Sequence, residues 1–318
     1  MNLELGYVSR KRISLKGRDF LELQDFTPEE VWAILKTTRL LKKRRKVPQK
    51  LKGKFAAMIF EKPSTRTRVS FEVAFEELGG RALYLSRNEL QLGRGETIAD
   101  TARVLSRYVD LIMARVYRYE TLEELAKHAT VPVINGLSDI NHPLQTVADL
   151  YTIWEKFGKL RGLTVAWIGD GNNVCNSLLI GASKLGVNVI AATPREYMPS
   201  KRYIDWALEN SSKSGSRIEI IEDPEKAVED ADIVMTDVFV SMGQEEEREK
   251  RLQVFYPKYQ VNSNLISKAK KKVYFMHPLP AHRGEEVTDD VIDSDYSLVW
   301  DQAENRLHTA KALLYLMF

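Results

Sequence analysis

The segment Phe60-Glu61-Lys62-Pro63-Ser64-Thr65-Arg66-Thr67-Arg68 concentrates groups that bind oxyanions. Three hydroxyls and two guanidiniums stand within five positions. They fall between an apolar run, Phe55 to Phe60, and an amphipathic stretch, Arg66 to Leu78, stopped by Gly79-Gly80. A strand-to-helix corner aims first-turn N–H groups and the positive end of the helix dipole at one spot. Ser64, Thr65 and Thr67 add hydroxyl donors there, and Arg66 adds a fork that matches phosphate oxygens. The chemistry implied is capture of a phosphate or a phosphate leaving group without a metal. A plain helix cap with solvated arginines is the bland alternative.

Other chemistry-bearing residues are spread along the chain. Arg115 follows an apolar run, and His142 opens a long helical pattern with Gln145 three residues on, on the same face. A histidine at a helix N-terminus has its pKa pushed down, so it is expected to be a neutral N–H donor. Asp237 follows the apolar run Ile233 to Thr236, where it could pair with an ammonium group. The single cysteine, Cys175, excludes an internal disulfide, and no Cys/His cluster with metal-ligand spacing is present. A net charge of +3 is too mild to argue for nucleic acid. The basic run Lys42 to Lys46 reads as a solvated helix end. No apolar run approaches the roughly 18 residues that span a membrane. Met1 to Arg12 lacks a signal-peptide core, which places the chain in the cytoplasm.

The elements that must position these residues alternate. Thr27 caps a helix from Pro28 to about Lys42. Strands are expected at Phe55 to Phe60, Ala82 to Leu85, Leu111 to Arg115 and Val131 to Ile134. Helices are expected at Arg66 to Leu78, Thr97 to Arg107 and Thr121 to His128. A long helix, His142 to Phe157, leads into a second series. There strands fall at Thr164 to Ile168, Val187 to Ala192, Ile218 to Ile221, Ile233 to Thr236 and Val273 to Met276. Helices fall at Asn176 to Leu185, Lys201 to Ser212, Pro224 to Asp230 and Ala303 to the end. The pattern predicts an α/β fold of two similar-sized domains, each a mainly parallel sheet flanked by helices, joined by long helices. The expected division is 1–146 and 147–302, with the C-terminal helix 303–318 packing back on the first domain. Ligands in such folds bind at the carboxyl ends of strands and between domains.

The Ser64-Thr65-Arg66-Thr67-Arg68 run resembles the carbamoyl-phosphate signature of the aspartate and ornithine carbamoyltransferases. The resemblance extends, in order, through Arg115, His142-Pro143-Leu144-Gln145, Asp237-Val238-Phe239-Val240-Ser241-Met242-Gly243, His277-Pro278-Leu279-Pro280-Ala281 and Glu304-Asn305-Arg306. It implies transfer of a carbamoyl group from carbamoyl phosphate to an amine, a trimer or a multiple of trimers, and no metal or organic cofactor. Carbamoyl phosphate would be held by Ser64, Thr65, Arg66, Thr67, Arg115, His142, Gln145, the carbonyl of Leu279, and Arg306. Gln91, in a Gly-containing loop, would reach the neighbouring subunit's site. Arg66, Arg115 and His142 would act on the reacting atoms. Asn173, Asp237, Ser241 and Met242 would hold the acceptor, with the last two on a closing loop.

Within the resemblance L-ornithine is the expected acceptor, giving citrulline. The Arg-x-Gln pair of the aspartate enzymes is missing, and Glu245-Glu246-Glu247 would repel a dicarboxylate. Two departures bear on this. Pro278 stands where ornithine carbamoyltransferases usually have Cys, and Leu144 replaces a smaller or polar residue. Pro278 has no ionisable group and no N–H, which keeps aspartate, a modified ornithine, lysine or putrescine open as acceptors. The Leu279-Pro280 bond is cis in the family. Gly169-Asp170-Gly171 also resembles the start of a dinucleotide-binding turn, but the third glycine position is Val174. A non-enzymatic regulator would have lost the donor residues, which are all present here.

Overall fold

The computed structural model describes residues 13–241 and 243–318. Met1 to Arg12, which were read for a signal peptide, and Met242 lie outside the described residues. Helices and strands follow in the order α1 (Pro28–Lys42), β1 (Phe55–Phe60), α2 (Arg66–Glu77), β2 (Arg81–Ser86), α3 (Ile98–Leu105), β3 (Leu111–Arg115), α4 (Tyr119–His128) and β4 (Val133–Leu137). Then come α5 (Pro143–Phe157), β5 (Thr164–Ile168), α6 (Asn173–Leu185), β6 (Asn188–Ala192), α7 (Lys201–Ser214), β7 (Ile218–Ile221), α8 (Pro224–Val228) and β8 (Ile233–Thr236). The chain closes with α9 (Arg248–Phe255), α10 (Ser263–Ile266), β9 (Tyr274–Met276), α11 (Asp289–Ile292) and α12 (Val299–Met317).

Two parallel sheets result, in the orders β2-β1-β3-β4 and β7-β6-β5-β8-β9. In each, the strand order reverses once near the middle, between β1 and β3 and between β5 and β8. A crevice opens at the carboxyl ends of strands flanking such a reversal. Phe60 and Arg115 end the first pair, and Ile168 and Thr236 end the second. The strands are almost continuously apolar because helices cover both faces. The exceptions are two edge strands, β2, whose Leu83 is exposed, and β7, whose Glu219 is half-buried.

The helix starts follow from side-chain caps. Thr27 and Glu30 form a reciprocal capping box at α1, with Pro28 at the first helical position. The basic run after α1 is exposed from Lys43 to Lys46, a solvated helix end. Helix α5 bridges the two sheets and is buried from Pro143 to Ile153. Helix α12 packs on α1, α2 and α5. Its start at Val299 is earlier than the polarity of Glu304-Asn305-Arg306 suggested, because Gln302 and Arg306 are buried in polar contacts rather than solvated.

Two further boundaries differ from expectation. Strand β4 runs Val133–Leu137 rather than from Val131, because Val133 is the residue that pairs with Ile112 of β3. Helix α6 begins at Asn173 rather than Asn176, because Asn172 caps it by accepting the N–H groups of Val174 and Cys175. Helix α9 was not anticipated; the acidic run before it hid an amphipathic turn anchored by buried Arg251 and Phe255. Among the described residues no helix is long and apolar enough to cross a membrane.

Candidate active site

The corner between β1 and α2 forms as its residue types dictate. Ser64 Oγ accepts the Thr67 N–H at 3.2 Å, while Thr65 is already helical and its own side chain makes no cap bond. The remaining first-turn N–H groups have no partner inside the helix. Thr67 is buried, Ser64 and Arg66 are half-buried, and Thr65 is exposed.

Three guanidiniums converge on this corner. Arg115 ends β3 at a register shift between Ala114 and Arg115 that re-aims its side chain. Arg306 comes from α12, and its Nη2 donates to Thr67 Oγ1 at 3.1 Å. Arg66 is the third: its charge acts on both Arg115 and Arg306. Arg115 is pushed down to about 10 by burial and then by Arg66. Arg306 is pushed down to about 10 by burial; the Asp149 charge opposes the fall, and Arg115 and Arg66 add to it. Among the described residues no carboxylate is within ion-pair distance of any of the three. Arg115 Nε is buried without a partner. Clustered, partly desolvated cations are unfavourable unless an anion joins them.

His142 lies beside this cluster. Its backbone N–H donates to Ser177 Oγ at 2.7 Å, which fixes the start of α5. Its pKa falls well below the ordinary value, first because it is buried and then because of Arg306 and Arg115. The expected direction holds, with burial rather than the helix terminus as its leading cause. Arg306 Nη1 approaches Nε2 at 3.5 Å, which leaves the ring proton on Nδ1. That Nδ1 is a buried group without a partner. Gln145 Oε1 accepts from Arg306 Nη1 at 2.5 Å, and Gln145 Nε2 donates to Asp149 Oδ1 at 2.8 Å.

Across the crevice, Asp237 follows β8. Its Oδ1 accepts the Val238 N–H and its Oδ2 accepts from Asn172 Nδ2, both at 2.8 Å. Burial raises its pKa, and His277 opposes the rise. Arg66 feels the Asp237 charge, so the two faces of the crevice meet electrostatically. Beside it, Asp170 pairs with buried Arg251, whose Nε also donates to the Phe239 carbonyl at 2.6 Å. Asp170 is raised to about 7 by burial. The glycines of this turn serve the chain itself. Gly169 has φ of 120°, and a Cβ on Gly171 would fall 2.2 Å from the Pro199 nitrogen. That close approach accounts for the glycine pair without a dinucleotide.

Pro278 is buried and Leu279 half-buried at the end of β9. Leu279 has φ of 59°, its N–H donates to His277 Nδ1 at 2.9 Å, and the Leu279-Pro280 bond is cis. Ser241 is half-buried; its N–H donates to Gln244 Oε1 and its carbonyl accepts the Gln244 N–H, both at 3.0 Å. Asn173 points its Nδ2 to the Ser138 carbonyl at 2.7 Å, whereas Asn172, its neighbour, touches Asp237. Gln91 stands apart, exposed on a 3-10 turn Gln91–Arg94, with no hydrogen bond to the cluster among the described residues.

Sequence reasoning missed Asn172, Asp149, Gln302 and Arg251. Helical spacing offered a signal for two of them. Asp149 is four residues after Gln145, and Gln302 is four before Arg306. His282, Glu285 and Glu286 bring ligand-type atoms within 4.8 Å of one another. Glu285 is committed to Arg248 and Glu286 to His277 and the His282 N–H, so local contacts account for them.

Residues 18–155 match the carbamoyl-P binding domain of the aspartate/ornithine carbamoyltransferases, and residues 161–317 match their Asp/Orn binding domain. The chain belongs to the aspartate/ornithine carbamoyltransferase family. Among similar proteins, the ornithine carbamoyltransferase of Pyrococcus horikoshii is 61% identical over 308 residues, covering 96% of this chain and 97% of that one. The anabolic ornithine carbamoyltransferase of Pyrococcus furiosus is 60% identical over 308 residues, covering 96% of this chain and 98% of that one. A solved ornithine carbamoyltransferase structure from Pyrococcus furiosus superposes with a TM-score of 0.93 at 60% identity, covering 96% of this chain and 98% of that one. The two matched stretches each contain one of the two sheets; Arg66 and Arg115 fall in the first stretch, and Asp237 and Arg306 in the second.

Proposed function

We propose that the chain is an ornithine carbamoyltransferase, moving the carbamoyl group of carbamoyl phosphate to the side-chain amine of L-ornithine to give L-citrulline and phosphate. The observation that carries the reading is the convergence of Arg66, Arg115 and Arg306 on the Ser64–Thr67 corner, opposite Asp237. A dianionic phosphate supplies the charge the three guanidiniums lack. The family membership supports the same reaction.

The uncharged amine attacks the carbamoyl carbon. The developing oxyanion is stabilised by Arg115 and by the Nδ1–H of neutral His142. The C–O bond to phosphate then breaks, and the negative charge growing on the phosphate is stabilised by the Ser64–Thr67 N–H and hydroxyl groups and by Arg66 and Arg306. Gln145 Oε1 and the Leu279 carbonyl accept from the carbamoyl NH2. Asp237 pairs with the α-ammonium, and Asn172 joins Asn173 and Ser241 in shaping that pocket; the resemblance adds Met242 to the acceptor contacts. Pro278 offers only a carbonyl, so the amine proton leaves on the departing phosphate or on solvent. Aspartate is not favoured as acceptor, since Asp237 faces it with like charge. A modified ornithine, lysine or putrescine is not favoured either, given relatives named for ornithine at about 60% identity.

We further propose a division into domains 1–146 and 147–302 with 303–318 returning to the first, a cytoplasmic location and a homotrimer. Val69 and Val73, one turn apart on α2, and Leu83 on edge strand β2 are exposed apolar side chains on the first domain, which favours self-association. Exposed Gln91 would complete a neighbour's site. The anabolic name of the Pyrococcus furiosus relative supports a biosynthetic, citrulline-forming role leading to arginine. A colorimetric ureido assay with carbamoyl phosphate and a panel of amines tests the reading. Ornithine-dependent product is expected; product with aspartate and none with ornithine would overturn the acceptor assignment.

A further inference from the structure

Asp149 lies on α5 and is fully buried, as is Gln302 on α12. Asp149 Oδ1 accepts from Gln145 Nε2 at 2.8 Å and from Gln302 Nε2 at 2.7 Å. A carboxylate oxygen accepts hydrogen bonds, so each glutamine must turn its NH2 toward Asp149 and its carbonyl oxygen away. Gln145 thereby presents Oε1 to Arg306 Nη1, and Gln302 presents Oε1 to the His277 N–H at 2.9 Å. Flipping either amide would set oxygen against carboxylate and NH2 against a donor, losing two buried hydrogen bonds at once.

The chain of contacts continues from His277. Its Nδ1 accepts the Leu279 N–H, so the ring proton is on Nε2 and goes to Glu286 Oε1 at 3.1 Å. Glu286 Oε1 also accepts the His282 N–H at 2.7 Å. The turn from His277 to Pro280 is therefore held from both ends, by Gln302 on one side and by Glu286 on the other.

We infer that Asp149 is a positioning residue that ties the orientation of the Gln145 amide, which holds the carbamoyl group, to the placement of the turn at Pro278 and Leu279, where the carbamoyl group meets the amine, acting through Gln302. The inference rests on the carbamoyl-transfer reading above, because that reading has the Gln145 amide oxygen and the Leu279 carbonyl share the carbamoyl NH2, with Pro278 beside the attacking amine. Asp149 and Gln302 touch neither substrate in it. Two elements that are far apart in sequence, α5 and the turn after β9, share one carboxylate oxygen as a common reference point.

Three variants decide the matter: Asp149→Asn, Asp149→Leu and Gln302→Leu, each purified as the full chain and measured for KM of both substrates and for kcat. Asp149→Asn keeps an Oδ1 acceptor and should stay within about threefold of the parent in every constant. Asp149→Leu releases both amides and should raise both KM values and lower kcat by about 30-fold to 100-fold, the scale on which a small misplacement acts. Gln302→Leu leaves the Gln145 contact in place. It should raise the ornithine KM about tenfold through the Pro278 carbonyl beside the attacking amine, while the carbamoyl phosphate KM, set mainly by the contacts to its phosphate, stays within about twofold. A merely structural role would lower thermal stability without splitting the two KM values. Equal movement of both KM values in Gln302→Leu, or no movement, overturns the inference. So does Asp149→Asn losing as much as Asp149→Leu in a folded protein. If Asp149→Leu does not fold, the other two variants still decide. An unmutated chain that carbamoylates no ornithine would instead sink the reaction assignment.

Discussion

The two sides of the crevice use opposite electrostatics. On the donor side Arg66, Arg115 and Arg306 crowd together, with no carboxylate among the described residues within ion-pair distance, and their pKa values fall. On the acceptor side Asp170 and Asp237 are buried carboxylates whose pKa values rise, each held by a built-in donor, Arg251 or Asn172. The first is an excess of positive charge that the proposed dianion would neutralise. On the second, Arg251 neutralises Asp170 while Asp237 keeps one negative charge, which in the proposed reaction would pair with a singly charged ammonium. An anion site can thus be made by withholding counter-charge, whereas a cation site in a low-dielectric crevice needs its carboxylate tethered first.

The largest test of this contrast removes a donor-side cation. Arg66→Ala should lower kcat/KM for carbamoyl phosphate by about 1000-fold, the scale of losing a preorganised anion stabiliser, with the fold intact by circular dichroism. Unchanged turnover would place the phosphate elsewhere. Arg306→Met should cost about 100-fold in the same constant. It also removes a cation that depresses His142, so the His142 pKa, followed by NMR, should rise toward its ordinary value.

Much of this asymmetry was legible in the sequence. The donor corner is encoded locally: Ser64 to Arg68 sit on one strand-to-helix junction, and hydrophobic periodicity placed that junction correctly. Arg115 and His142 followed because each ends or opens a well-marked element. The acceptor side was harder to read. Whether Asn172 or Asn173 faces Asp237 depends on which one caps α6, a choice of one residue that composition does not make. Arg251 and Gln302 belong to no motif in the sequence; only tertiary packing buries them against Asp170 and Asp149. Polar residues in the interior are specified by partners distant in sequence, so their roles appear only once the chain is folded.

A pH series sharpens the comparison from the buried carboxylate behind the donor side. Burial raises Asp149 to about 7 from an unfolded value near 3.8. A raised carboxylate favours the folded state at pH below the unfolded value, and that contribution is lost as pH rises through about 7. The unmutated chain should therefore lose stability relative to Asp149→Asn between pH 5 and pH 8.5, by about 2 kcal/mol in denaturant titrations. A difference that is flat with pH would mean Asp149 is not desolvated as described. The smallest effect is expected at the acceptor turn. Pro278→Cys should leave kcat with ornithine equal to or up to about threefold above the parent, because the proline supplies no proton acceptor side chain. A collapse in rate would show that the ring itself is required.

The central claim is that the strand-to-helix corner of the first domain takes the phosphate while Asp237 takes the amino acid. A crystal structure with a phosphonate–ornithine bisubstrate analogue tests it most directly. The account predicts the phosphonate on Ser64 to Thr67 with Arg66, Arg115 and Arg306 around it, and the α-ammonium on Asp237. A phosphonate bound away from that corner, or an amino-acid moiety pointing out of the crevice, would contradict it.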